Sequence, residues 1–294
     1  LAVAPVGRVV AVGRAPEGLA ADAATHTFAV ALRDPDQLAL VDARSGRVRR
    51  RVALPGGPRH LTTDAAASAF VVPVETAGRA LTVTPAGRVT ADVAVGDHPH
   101  DAATLAGRTF VGNERGNTVA VLDHGRETAR RAVATQPGGL AAADAGRALA
   151  VVSVRERVLE LYDPRTLKRV ARVAAGVGPT HVVAVSDRLY VADTQGGALL
   201  VFATRPKLAL VRRVDLPGGP YGMAVDPVRH RLWVTLTARN EVVSLPANGR
   251  PRPLARLATV RQPDSVAVDP ALGTLAVTGR DAGVLQLIDV RRAG

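Results

Sequence analysis

His60, Asp101 and His181 each stand two residues after a proline (Pro58, Pro99 and Pro179) in otherwise similar stretches of chain. Two imidazoles and a carboxylate form a nitrogen and oxygen donor set suited to a divalent transition metal. A metal ion held by His60, Asp101 and His181 is therefore one expectation, and a wet polar channel lined by the same groups is the other. One residue after the proline, comparable stretches carry Glu17, Arg59, His100, Gly138, Thr180, Tyr221 and Asp264. Glu17, His100, Tyr221 and Asp264 thus join the three as candidate ligand-binding residues. Other chemistries are excluded more firmly. The chain has no cysteine, so disulfides, thiolate metal sites, cysteine nucleophiles and covalent c-type haem are ruled out. It also lacks a G-x-S-x-G elbow, an H-E-x-x-H pair, a phosphate loop and a dinucleotide fingerprint.

These residues are placed by a repeat. A proline followed by a short apolar strand recurs seven times: PEGLAAD from Pro16, PRHLTTD from Pro58, PHDAAT from Pro99, PGGLAAAD from Pro137, PTHVVAV from Pro179, PYGMAVD from Pro220 and PDSVAVD from Pro263. Copies at about 40 residues fit the four-stranded blade of a β-propeller. After each proline strand comes a turn, then a strand opening on a large residue: Phe28, Phe70, Phe110, Leu149, Tyr190, Trp233 or Leu275. A third strand follows, then Asp, Pro, Gly and Asn turn chemistry, then a fourth. No segment keeps helical apolar spacing over ten residues, so helix is expected to be nearly absent.

The chain opens with GRVVAVG, from Gly7 to Gly13, which reads as a fourth strand. It closes with VLQLIDV, which reads as a third. The first strand is therefore expected to complete the last blade and protect its edge. The fold class is all-β, a single seven-bladed propeller over residues 1–294. Leu1 to Val12 lacks the charged start, long apolar middle and cleavage site of a signal peptide. No apolar run reaches the roughly 18 residues of a membrane span.

In such a ring the position two past the proline reads Gly18, His60, Asp101, Gly139, His181, Gly222 and Ser265. Glycine is the default because backbone crowds near the axis, and His60, Asp101 and His181 depart from it. Loops joining second and third strands add Arg33, Asp34, Glu75, Glu114, Arg115, Arg155, Glu156, Asp193, Arg239, Asn240, Arg280 and Asp281. Mixed charge there reads as surface ion pairing. His26, His124 and His230 are expected in exposed turns away from the mouth.

FVGNERGNTVAVLD (Phe110 to Asp123) and YVADTQGGALLVF (Tyr190 to Phe202) resemble the YVTN repeat. The motif's Asn is kept as Asn113, with Asp193 its nearest substitute; the other repeats are read as carrying Ala31, Pro73, Val152, Leu236 and Thr278 at that place. The resemblance implies a secreted or cell-surface location and a fold shared with lactonases and lyases. Two functions follow: a scaffold binding a small ligand or a protein partner through the channel funnel, or a metal-assisted hydrolase, lyase or isomerase using the His/Asp set.

The formal charge is +12 and lysine is confined to Lys168 and Lys207. Arg47, Arg49, Arg50, Arg51, Arg130, Arg131, Arg169, Arg172, Arg212, Arg213, Arg252 and Arg256 fall on the expected outer strands, where charge blocks edge-to-edge association. One Trp, three Tyr and four Phe leave few rings for stacking on bases. A monomer without specific nucleic-acid binding is expected.

Overall fold

The computed structural model describes residues 3–291. The outermost residues of the expected domain, 1–2 and 292–294, lie outside the described residues. The described chain forms seven four-stranded antiparallel sheets arranged as a seven-bladed β-propeller. Blade 1 shows the pattern, with strands Pro16–Asp22, Thr27–Leu32, Gln37–Asp42 and Val48–Ala53 in spatial order. No helix among the described residues is long and apolar enough to cross a membrane. Among the described residues helix is limited to two single 3₁₀ turns, Glu75–Ala77 and Asp144–Gly146.

Burial explains why each strand has its composition. Second strands such as Thr27–Leu32 and Ala148–Ser153 are buried throughout, because both faces of a blade pack on neighbours. They read as apolar runs rather than alternating ones. The large residue that opens each second strand (Phe28, Phe70, Phe110, Leu149, Tyr190, Trp233 and Leu275) is buried in all seven blades. Each such burial stabilises the ring by roughly 1.5–3 kcal/mol. Outer strands such as Arg169–Ala174 alternate exposed and half-buried residues, which admits their arginines.

The ring closes as the termini imply. Arg8–Ala11 pairs antiparallel with Val284–Asp289, Arg8 opposite Leu287 and Ala11 opposite Val284. Gln286, buried, ties the closure: its Nε2 donates to the Val6 and Ala258 carbonyls, and its Oε1 accepts from the Val260 amide.

Inner strands carry the irregularities that matter. In blades 1, 3, 4, 5, 6 and 7 the register shifts just after the anchor proline. A bulge there frees the next one or two residues from the ladder and re-aims their side chains. Blade 2 goes further. Its inner strand is reduced to Thr62–Asp64, with only an isolated bridge from Pro58 to Val74 before it. Pro73 stands on the second strand where other blades have an N–H to offer the inner strand, and a proline has none. The His60 amide instead donates across the blade boundary to the His100 carbonyl, at 3.2 Å.

Two expectations are corrected, one by strand register and one by a side-chain contact. Asn113 lies opposite Pro99, as Asp193 lies opposite Pro179 and Leu236 opposite Pro220. In the remaining blades that place belongs to Leu32, Val74, Ser153 and Gly279, one residue after Ala31, Pro73, Val152 and Thr278. Asn113, Asp193 and Ser153 there hold the incoming connection: Asn113 Nδ2 donates to Val95 O, Asp193 Oδ1 accepts from the Gly178 amide, and Ser153 Oγ donates to Thr135 O. His26 is not simply solvated. Its Nδ1 lies 2.7 Å from Oδ2 of buried Asp269, joining blades 1 and 7.

Candidate functional site

The inner-strand starts of all seven blades meet on the axis. Backbone crowding makes glycine the default two places after the proline. A Cβ on Gly222 would stand 2.5 Å from the Asp264 carbonyl oxygen, and one on Gly139 would stand 2.8 Å from the His181 Cα. His60, Asp101, His181 and Ser265 are the larger residues at this position, and the inner-strand backbone of His60 departs furthest from the other blades.

Four rings from four blades gather here. His60 packs edge-on to His181 with ring centres 4.4 Å apart, and to His100 at 4.9 Å. Tyr221 packs edge-on to His181 at 4.5 Å, with its hydroxyl 3.4 Å from His60 Nε2. His100 Nδ1 donates to the Gly138 carbonyl at 2.8 Å, which leaves Nε2 as the acceptor facing Arg59 Nε at 3.3 Å. Burial, then the charge of Arg59, pushes the His100 imidazole down to about 4. Burial first and the neighbouring imidazoles next hold His60 and His181 well below their ordinary value. All three rings are therefore neutral near pH 7. His181 Nε2 is buried without a hydrogen-bond partner, at a cost of about 1–3 kcal/mol.

Above the rings lies an ionic layer. Glu17 is fully buried and meets three guanidinium groups: Arg59 Nη1 and Arg33 Nε at Oε2, and Arg280 Nη2 at Oε1, the last at 2.8 Å. Arg33 also bonds Glu75 at 2.6 Å and the Pro58 carbonyl. Asp264 belongs to this layer, and burial raises its carboxyl to about 6. Pairing of this density is what a buried carboxylate requires. Arg33, Glu75 and Arg280 were expected as solvated loop charges, and Arg59 was not among the candidates. Their convergence depends on loops from blades 1, 2 and 7 meeting over the axis, which no single repeat records.

Beneath the rings is a cavity of ≈ 310 Å³. It is lined by His60, Asp101 and His181 together with second-to-fifth positions of the inner strands, among them Leu19, Leu61, Leu140, Val182, Met223 and Val266. The first-position residues Glu17, His100, Tyr221 and Asp264 do not line it; with Arg59 they form its roof. Asp101 is bound in place: Oδ1 accepts from the Ala102 amide at 2.8 Å and Oδ2 from the Leu140 amide of blade 4 at 3.0 Å. Burial pushes its carboxyl up to about 7. His60, Asp101 and His181 thus share one cavity, but among the described residues no three His, Asp or Glu side chains are grouped to hold a metal ion. Asp101 turns toward the blade 3–4 boundary, while the two imidazoles face each other and Tyr221.

Many of the same groups also staple neighbouring blades. Ser265 Oγ donates to Glu17 O from blade 7 to blade 1, and Thr194 Oγ1 donates to Pro220 O from blade 5 to blade 6. Ser265 thus serves both the blade contacts at the axis and the cavity wall.

No family model matches this sequence, nor does any curated protein sequence. Solved structures do match. A chain of hydrazine synthase from Kuenenia stuttgartiensis is 15% identical with a TM-score of 0.82, over 98% of this chain and 99% of that one. A chain of the mitotic checkpoint complex is 16% identical with a TM-score of 0.83, over 96% of this chain and 90% of that one. Streptogramin B lyase is 11% identical with a TM-score of 0.81, covering 96% of both chains. At these identities the likeness concerns the seven-bladed fold, and activity does not travel with fold.

Proposed function

We propose that this propeller is a non-catalytic binding module that holds a small ligand on its axis. The carrying observation is the shared cavity: His60, Asp101 and His181, with the hydroxyls of Thr62, Thr63 and Ser265, line a space whose remaining walls are apolar, under a roof of His100, Tyr221, Arg59 and Glu17. Its volume sits at the lower end of the roughly 300–1,000 Å³ typical of ligand sites, and a few polar groups in an apolar wall is their usual composition. A metal-assisted reaction draws less support, because the imidazoles pack on one another and Asp101 is engaged by two amides.

The reading is tested by plugging the cavity. A thermal-shift screen of small metabolites is run on the parent protein and on Met223→Trp and Ala224→Phe, with circular dichroism confirming the fold of both. Compounds that raise the parent's melting temperature should leave the plugged proteins unchanged. Hits that act equally on all three, or no hit on the parent, would remove the axial site.

A further inference from the structure

The cavity's charge and hydrogen-bonding character narrow what it can take. No arginine or lysine is among the described residues that line it. Its hydroxyls already spend their hydrogens: Thr62 Oγ1 donates to Ala102 O at 2.6 Å, Thr63 Oγ1 to Ala21 O at 2.9 Å, and Ser265 Oγ to Glu17 O at 2.6 Å. What those oxygens offer inward is lone pairs. The imidazoles add at most one donor each in their neutral form.

Asp101 is the group that decides the charge of the occupant. Each of its oxygens accepts one amide N–H, which leaves further acceptor positions on a carboxylate. Among the described residues no cationic side chain pairs with it. The arginines of the mouth, Arg33, Arg59 and Arg280, are taken up by Glu17 and Glu75 on the far side of the rings. A buried carboxylate without a counter-charge is costly. With its carboxyl raised to about 7, Asp101 is ionised above neutrality, and there an anionic ligand would add repulsion, a neutral one would leave the cost in place, and a cation would supply the missing counter-charge. Walls of Leu19, Leu61, Leu140, Val182, Met223 and Val266 suit a hydrocarbon body, not the water shell of an inorganic ion.

We propose that the cavity binds a small organic ammonium ion, its apolar body against the leucine and valine walls and its nitrogen donating to the Asp101 carboxylate. The proposal rests on the axial-binding reading above and names its ligand class.

Three probes of one shape test it at pH 8: cyclohexylammonium, cyclohexanol and cyclohexanecarboxylate, each titrated by calorimetry and by amide chemical shifts. Cyclohexylammonium should bind at least tenfold tighter than cyclohexanol, with cyclohexanecarboxylate showing no saturable binding. In Asp101→Asn the ammonium preference should shrink to within about twofold, a loss of some 1.4 kcal/mol per tenfold. The ranking in the parent protein stands as a test on its own if that variant does not fold. Cyclohexanol binding as tightly as cyclohexylammonium would overturn the ligand class while leaving the axial site intact. Absence of binding by all three probes would overturn the axial site itself. Zinc chloride titrated alone supplies the remaining arm: zinc that binds and displaces cyclohexylammonium would make this a metal centre and overturn the ammonium assignment.

Discussion

His100 illustrates how one buried side chain makes the fold sensitive to pH. It donates to the Gly138 carbonyl and faces Arg59, and its folded imidazole is held down to about 4. A free imidazole titrates near 6.5. As pH falls below 6.5 the unfolded chain takes up a proton that the folded chain refuses until about pH 4, so stability is lost across that window. At about 1.4 kcal/mol per pH unit, the part of the window above pH 5 is worth roughly 1–2 kcal/mol. Asp264, raised to about 6, works in the opposite sense: its contribution is lost as pH rises through that value. His100→Asn keeps a donor for Gly138 and removes the titration. Urea unfolding at pH 7.5 and pH 5 should show the parent losing about 1–2 kcal/mol more than the variant. Equal losses would assign the acid sensitivity to other groups.

At the scale of the strand, local breaks in the ladder create the site. In six blades a bulge after the anchor proline frees the first residues of the inner strand, and in blade 2 Pro73 leaves a longer stretch, His60 included, outside the ladder. The closing strand Arg8–Ala11 does the reverse and completes a ladder. Without it, Val284–Asp289 presents unpaired N–H and C=O groups at an exposed edge. A protein lacking residues 1–13 should be less stable by roughly 2–4 kcal/mol, at about 1 kcal/mol per backbone hydrogen bond. It should also self-associate in light scattering. A truncated protein that stays monomeric with an unchanged melting temperature would show that the closure contributes nothing.

Across the whole molecule the net charge is +12, and the outer strands of several blades carry arginines. Many outer-strand arginines face acids: Arg130 with Glu127, Arg172 with Glu156, Arg213 with Asp215 and Arg256 with Glu241. Arg131, Lys168, Arg169 and Arg172 cluster between blades 3 and 4, but Glu156 and buried Glu160 lie among them. Outer strands of successive blades face different directions, so few can meet one duplex together. Fluorescence titration of labelled duplex DNA should give weak binding without sequence preference. Its log–log salt slope should be shallower than about −3, since the slope counts phosphates contacted. Tight binding at physiological salt with a steep slope would reveal a continuous basic face.

The architecture was legible in the sequence because it depends on periodic information. Seven anchor prolines, a large residue opening each second strand and turn residues between strands recur at nearly constant spacing, and each reports local backbone geometry. The closing strand was legible too, from one unmatched fourth strand at the start and one missing at the end. Comparing equivalent positions also singled out His60, His100, Asp101, His181 and Tyr221. Tertiary structure alone decided what those residues do together. It set Asp101 against the Leu140 amide of the next blade and the imidazoles against each other, and it drew Arg33, Arg59 and Arg280 around Glu17. It also separated the roof at the first position from the cavity walls below. The physical reason is one of range. Strand and turn preferences act within a few residues, whereas the direction and burial of an axial side chain are set by backbones from other blades, more than a hundred residues away in the case of His60 and His181.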